Sequence, residues 1–144
     1  RHVRAMGKGR RMGFMVGRWG RTEDRVFKLR RGEKTPMWNA EGWEEKLEVD
    51  PRSQGTGMTA EEAGAVRIKD LDAFMQYMEN TYKAVDDYLA GLNDEDLVPI
   101  RDLRAMGKQS LFEVITGLLL RHGAGHLGEI WYIKGLQGLE GSPV

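Results

Sequence analysis

Arg121-His122-Gly123-Ala124-Gly125-His126-Leu127-Gly128-Glu129-Ile130-Trp131 is the stretch on which the fold turns. In a helix, His122 and His126 lie one turn apart and about 40° around the axis. Both imidazoles then point the same way, as a bidentate chelate of one metal ion requires. Glu129, seven residues after His122, falls on the same face. Three glycines inside one helix carry a propensity cost of about 1 kcal/mol each. Room for a ligand beside the imidazoles, or the close approach of another helix, would offset it. The alternative for the histidines alone is structural, two buried rings satisfied by the core.

The surrounding segment is helical by pattern. Ser110 and Glu113 form a capping box, and the last helix runs from about Leu111 to Lys134. Gly135, Gly138, Gly141 and Pro143 end the chain in a loop. A second helix spans Met12–Arg31, with Met12, Met15, Val16, Trp19, Val26 and Phe27 at three- and four-residue steps and Gly32 as its stop. Gly13, Gly17 and Gly20 share one side of it, which predicts close approach by a neighbour. A third helix is expected from Thr59 to about Leu92. It opens on the Thr59–Glu62 capping box and carries a stripe of Leu71, Phe74, Met75, Met78, Tyr82, Val85, Leu89 and Leu92. Between the first two lies a short amphipathic piece, Met37–Leu47, with Trp38 and Trp43, followed by turns at Asp50-Pro51 and Gly55-Thr56-Gly57. Asn93–Lys108 is a connection. No strand pattern stands out, so the class is all-α with three long helices.

Composition narrows the function. The 144 residues suit one domain spanning 1–144. The 22 basic and 22 acidic residues cancel, which removes a global field for nucleic acid or anionic lipid. There is no cysteine, hence no disulfide scaffold, thiolate metal site or cysteine nucleophile. The longest apolar run, Val114–Leu120, is broken by Thr116 and Gly117 and is too short to span a bilayer. No signal peptide is visible, so a cytoplasmic location is the default expectation. The neutrality hides an asymmetry: residues 1–31 carry a net +9 and the remainder −9. This segment either packs on the acidic remainder or binds phosphates. It lacks the aromatic interleaving of single-strand binders, so nucleic acid is not the expected partner.

An internal echo links the two ends. Val3-Arg4-Ala5-Met6-Gly7-Lys8 resembles Leu103-Arg104-Ala105-Met106-Gly107-Lys108, each before a helix. Read as two hairpins of common pattern, the first needs a helix before residue 1. The chain begins at Arg1 rather than Met, so N-terminal truncation is expected, with a first helix removed or supplied by a partner.

His122-Gly-Ala-Gly-His126-Leu-Gly-Glu129-Ile-Trp, Lys134-Gly-Leu-Gln-Gly-Leu, Gly55-Thr-Gly-Met-Thr-Ala-Glu-Glu62 and Arg21-Thr-Glu23-Asp24 together resemble the DinB/YfiT-like family, over about residues 12–143. The resemblance implies an up-down-up-down four-helix bundle whose first helix is missing here. It also implies a divalent metal, zinc or nickel above all, frequent dimerisation, and kinship with metal-dependent hydrolases and thiol S-transferases. Family members use three histidines. Two match His122 and His126; the third position holds Arg18, in Gly17-Arg18-Trp19-Gly20-Arg21. Arginine stays protonated and cannot coordinate a cation.

Three outcomes are open. Glu23, Glu129, Asp24 or a water could replace the lost ligand, and His2 is the one other histidine. Alternatively the metal is lost, and Arg18 with the two histidines forms an anion pocket in a binding or scaffold protein. The plain reading of Arg18 is an exposed side chain on a basic helix.

Overall fold

The computed structural model describes residues 12–31, 35–47, 57–103 and 107–142. Within them the chain is mostly helical, and three helices are long. These are α1 (Met12–Arg31), α5 (Leu71–Ala90) and a continuous helix over 111–136. The last consists of α6 (Leu111–Val114), a π-helical segment (Ile115–His122) and α7 (Gly123–Leu136). The short helices α2 (Met37–Ala40), α3 (Trp43–Lys46) and α4 (Ala60–Ala65) lie in the connection between α1 and α5.

The glycines of α1 let α5 come close. Gly17 lies against the Phe74 ring, where an added Cβ would sit 3.5 Å from Cε2. Gly20 faces Met78 Sδ so closely that a Cβ there forces the methionine to move. The same contacts set direction. Val26 and Phe27, near the end of α1, pack with Val85, and Phe27 stacks edge-on against Tyr88. Later residues of α1 thus meet later residues of α5, and the two helices run parallel. The last helix runs the other way: Phe14 and Met15 pack with Ile130 and Ile133, Trp19 covers Gly123, and Phe27 clusters with Val114.

This order departs from the expected up-down-up-down path. The successive long helices α1 and α5 point the same way, with α2, α3 and α4 between them in the chain. Asp24 ties α2 to both. Its buried carboxylate accepts the backbone N–H of Met37 (2.9 Å) and Trp38 (2.8 Å) and the hydroxyl of Tyr77 (3.2 Å). Trp38 and Trp43 then pack on Tyr77, with ring centres 5.0 and 5.6 Å away. The amphipathic piece expected at Met37–Leu47 is therefore two single turns pinned by one acid.

The helix expected over 59–92 is interrupted. Its capping box forms as anticipated: Thr59 Oγ1 accepts Glu62 N–H at 3.2 Å, and Glu62 Oε2 accepts Thr59 N–H at 2.7 Å. Yet α4 ends at Val66, where the backbone turns extended. The Arg67 guanidinium takes up the carbonyls of Gly64 (2.7 Å) and Val66 (3.0 Å), and Asp70 starts α5 afresh by capping Ala73 N–H at 2.9 Å. Leu71 and Met75 are consequently exposed, whereas Tyr77 and Thr81, outside the expected stripe, are buried.

The connection 91–110 holds a 3-10 turn (Asp94–Leu97) and two two-residue strands, β1 (Arg101–Asp102) and β2 (Lys108–Gln109), paired antiparallel. Gly107 supplies the positive φ of 75° that this turn needs. Strands were not expected here. The pairing is too short to leave an alternating pattern. The earlier copy of the echo, at residues 3–8, the stop at Gly32, the Asp50-Pro51 turn and His2 lie outside the described residues. No helix among those described is long and apolar enough to cross a membrane.

Candidate metal centre

The last helix places His122 and His126 side by side. Their ring centres are 4.4 Å apart and the rings meet at 69°, close enough for both to bind one ion. His122 closes the π-helical segment, and α7 begins at the next residue. Within that segment the Thr116 hydroxyl donates to the Phe112 carbonyl at 2.8 Å. Such segments recur at functional sites.

Glu129 stands where the helical spacing put it, but it holds a histidine. Its Oε2 is 2.9 Å from Nδ1 of His126, whose side chain is one-tenth exposed. A carboxylate there keeps the proton on Nδ1 and leaves Nε2 with its lone pair. That Nε2 is buried and has no hydrogen-bond partner, and the same holds for Nδ1 of His122. Buried nitrogens are rarely left so. Burial, the neighbouring His126 and the charge of Arg18 together push the His122 pKa below its ordinary value, against a smaller opposing pull from Glu129. His122 is thus neutral at pH 7, with a lone pair available.

Arg18 lies on the same crossing, and its charge acts on His122. On α1 it lies between Met15, whose cluster packs on Ile130 and Ile133, and Trp19, which covers Gly123. Gly123 is the glycine this crossing requires, since a Cβ would meet Trp19 Cζ2 at 2.8 Å. Gly125 and Gly128 face open space.

Glu23 and Asp24 do not join the histidines. Five residues after Arg18, Glu23 is rotated about 140° around α1 and faces α5. Its charge acts on Tyr82, and Asp86 acts on it. It is buried, 3% exposed, and burial raises its pKa to about 7. The Trp19 indole offsets part of that rise by proximity, without reaching full hydrogen-bond geometry. Asp24 is committed to the backbone of 37–38 and to Tyr77. Among the described residues no group of three His, Asp or Glu side chains could hold a metal ion. Among the described residues the two imidazoles therefore stand as a pair, one donor short of the three protein ligands that a zinc site takes. Sequence reading missed the partners that surround the site: the π-helical segment, the Trp19 lid over Gly123, and the Tyr82–Asp86 environment of Glu23. Gly123 alone left a visible signal, as a glycine with a helix-propensity cost. No family model matches the chain, and no curated protein matches it.

Proposed function

We propose that the chain is a DinB-like helical-bundle protein in which His122 and His126 hold a divalent transition metal, zinc or nickel, for a hydrolase or thiol S-transferase reaction. One observation carries this reading. Two imidazole nitrogens on one helix face, His122 Nδ1 and His126 Nε2, are buried without partners, while Glu129 fixes the tautomer that frees the second. When bound, the metal supplies Lewis acidity, lowering the pKa of water or a thiol beside it. The residues do the rest: the imidazoles bind, Glu129 orients, and Trp19 packs on Gly123, next to His122.

Self-association belongs to this reading. Leu120, Leu127 and Tyr132 are exposed on the last helix, next to the open Gly125 and Gly128, and a second copy would cover them. Sedimentation should then show a dimer, and a Leu127→Glu variant a monomer.

The test of the metal is thermal unfolding with zinc or nickel. At 100 times the dissociation constant a bound ion stabilises the native state by about 2.7 kcal/mol. That gain should vanish in a His122→Ala, His126→Ala variant. A gain retained by the variant, or absent from the wild type, overturns the reading. The second reading, a metal-free anion pocket, is favoured by the charge of Arg18 at His122. It predicts stabilisation by phosphate or carboxylates in the presence of a chelator.

A further inference from the structure

We propose that Glu23 and Trp19 form a proton-operated switch where α1 crosses the last helix. With Glu23 protonated, the Trp19 N–H has no partner and the indole packs on Gly123. When Glu23 releases its proton to water, its carboxylate accepts that N–H and turns the indole edge away from Gly123. The switch needs no metal at the histidines, so it stands or falls apart from the reading above.

Two neighbouring groups on α1 carry the inference. Nε1 of Trp19 is buried and has no hydrogen-bond partner. An indole nitrogen can only donate, and buried donors are rarely left unpaired. Glu23 follows one helical turn later on the same face, and it is 3% exposed. The indole is close enough to favour the ionised acid, yet it makes no hydrogen bond to it. A carboxylate accepts an N–H roughly twice as strongly as a neutral carboxyl does. Loss of the proton therefore creates the acceptor that the buried N–H lacks. The indole edge that must turn is the one packed on the last helix: a Cβ at Gly123 would meet Cζ2, Cε2 and Nε1 at 2.8, 3.1 and 3.3 Å.

The surroundings set where the proton leaves. From α5, Asp86 adds a like charge, and Tyr82 stays neutral because burial, and then the charge of Glu23, push its phenol up. On α1 itself, Arg21 turns to the Gly17 carbonyl at 3.1 Å and stacks over Trp38, and Asp24 is spent on residues 37, 38 and 77. From the last helix, His122 feels His126, Arg18 and Glu129 rather than Glu23. Burial above all, with Asp86, raises the Glu23 pKa to about 7, so the acid changes charge in the neutral range. Trp19 also lies 5.9 Å from Tyr82, ring centre to ring centre, so its movement is felt on α5 as well as at Gly123.

Nuclear magnetic resonance of the intact chain tests this from about pH 5 to about pH 9. It follows the indole N–H protons and the Glu23 carboxyl carbon, and Trp19→Phe assigns the Trp19 signal by its disappearance. The Trp19 N–H should move downfield with the same midpoint as the Glu23 carbon, about 7. The cross-relaxation contact between the indole and the Gly123 Hα should weaken over the same interval. Glu23→Gln should abolish both changes. Trp38, whose Nε1 is also buried without a partner but packs on Tyr77, is the internal control and should hold its position in both proteins. A Trp19 signal that stays fixed while Glu23 titrates overturns the inference, as does an unchanged contact with Gly123. A movement that survives Glu23→Gln overturns it too, and assigns the change to the histidines. So does a Glu23 carbon that titrates near the ordinary 4.5.

Discussion

The face where α1 meets α5 and the face where α1 meets the last helix bury polar groups in opposite ways. On the first, Asp24 is 1% exposed, and its two oxygens take up two backbone N–H groups and a tyrosine hydroxyl. On the second, His126 is 8% exposed and its Nε2 has no partner, nor has Nδ1 of His122. Both faces use a glycine to admit a large side chain, Gly20 for Met78 and Gly123 for Trp19. The faces differ in how their ionisable groups are satisfied; among the neutral groups, Thr81 Oγ1 on α5 is buried without a partner as well. Asp24, with both oxygens accepting hydrogen bonds, serves the fold, whereas the two histidine nitrogens have no such role in the packing.

The largest effect should come from breaking the satisfied side. Asp24→Ala strips the partners from Met37 and Trp38 N–H and from the Tyr77 hydroxyl, at about 1–3 kcal/mol for each buried group left unpaired. Urea denaturation should show a loss of about 3 kcal/mol or more, with the amides of Met37 and Trp38 among the first to exchange. A loss below about 1 kcal/mol would mean that Asp24 is not an anchor of the fold.

Glu23 lies between the two faces and sharpens the comparison through pH. Its folded pKa, about 7, is above the ordinary value of 4.5, so the fold favours the protonated acid. That preference contributes stability in full below pH 4.5 and loses it as pH rises through 7. Glu23→Gln should therefore match the wild type near pH 4 and exceed it at pH 8 by up to about 3 kcal/mol. Parallel stability curves for the two proteins would contradict the assignment.

Glycine substitutions give the smallest effects and differ in sign. Gly123→Ala drives a Cβ to 2.8 Å from the Trp19 ring, and overpacking of this kind costs about 1–3 kcal/mol. Gly125→Ala and Gly128→Ala meet open space in the single chain and should stabilise its helix by about 0.5–1 kcal/mol each. Thermal unfolding of the three variants at low protein concentration reads the contrast directly.

The pattern of residues foretold some of this better than other parts. The bounds of α1, both capping boxes and the close approach at Gly17 and Gly20 follow from short-range periodicity and from side chains that act within one turn. The last helix extends to Leu136 because Gly135 is tolerated inside its final turn. The break at 66–70 leaves no Gly or Pro in the sequence to mark it, and the stop depends on Arg67 and Asp70 finding backbone partners. Direction escaped as well. A stripe tells which face is buried but not which way the chain runs, and the bonds of Asp24 to residues 37, 38 and 77 leave no trace in a local pattern. At the site, the i and i+4 histidines and Glu129 were legible from helical spacing. That Glu129 would hold His126, and that Glu23 would turn toward α5, depended on rotation about two separate helices. Arg18 was singled out by resemblance, and its charge acts on His122.

Metal content per chain, by elemental analysis of protein purified without chelator or histidine tag, tests the central claim most directly. The account predicts about one equivalent of zinc or nickel, absent from the His122→Ala, His126→Ala variant. No metal after incubation with either ion, or equal metal in the variant, would contradict it.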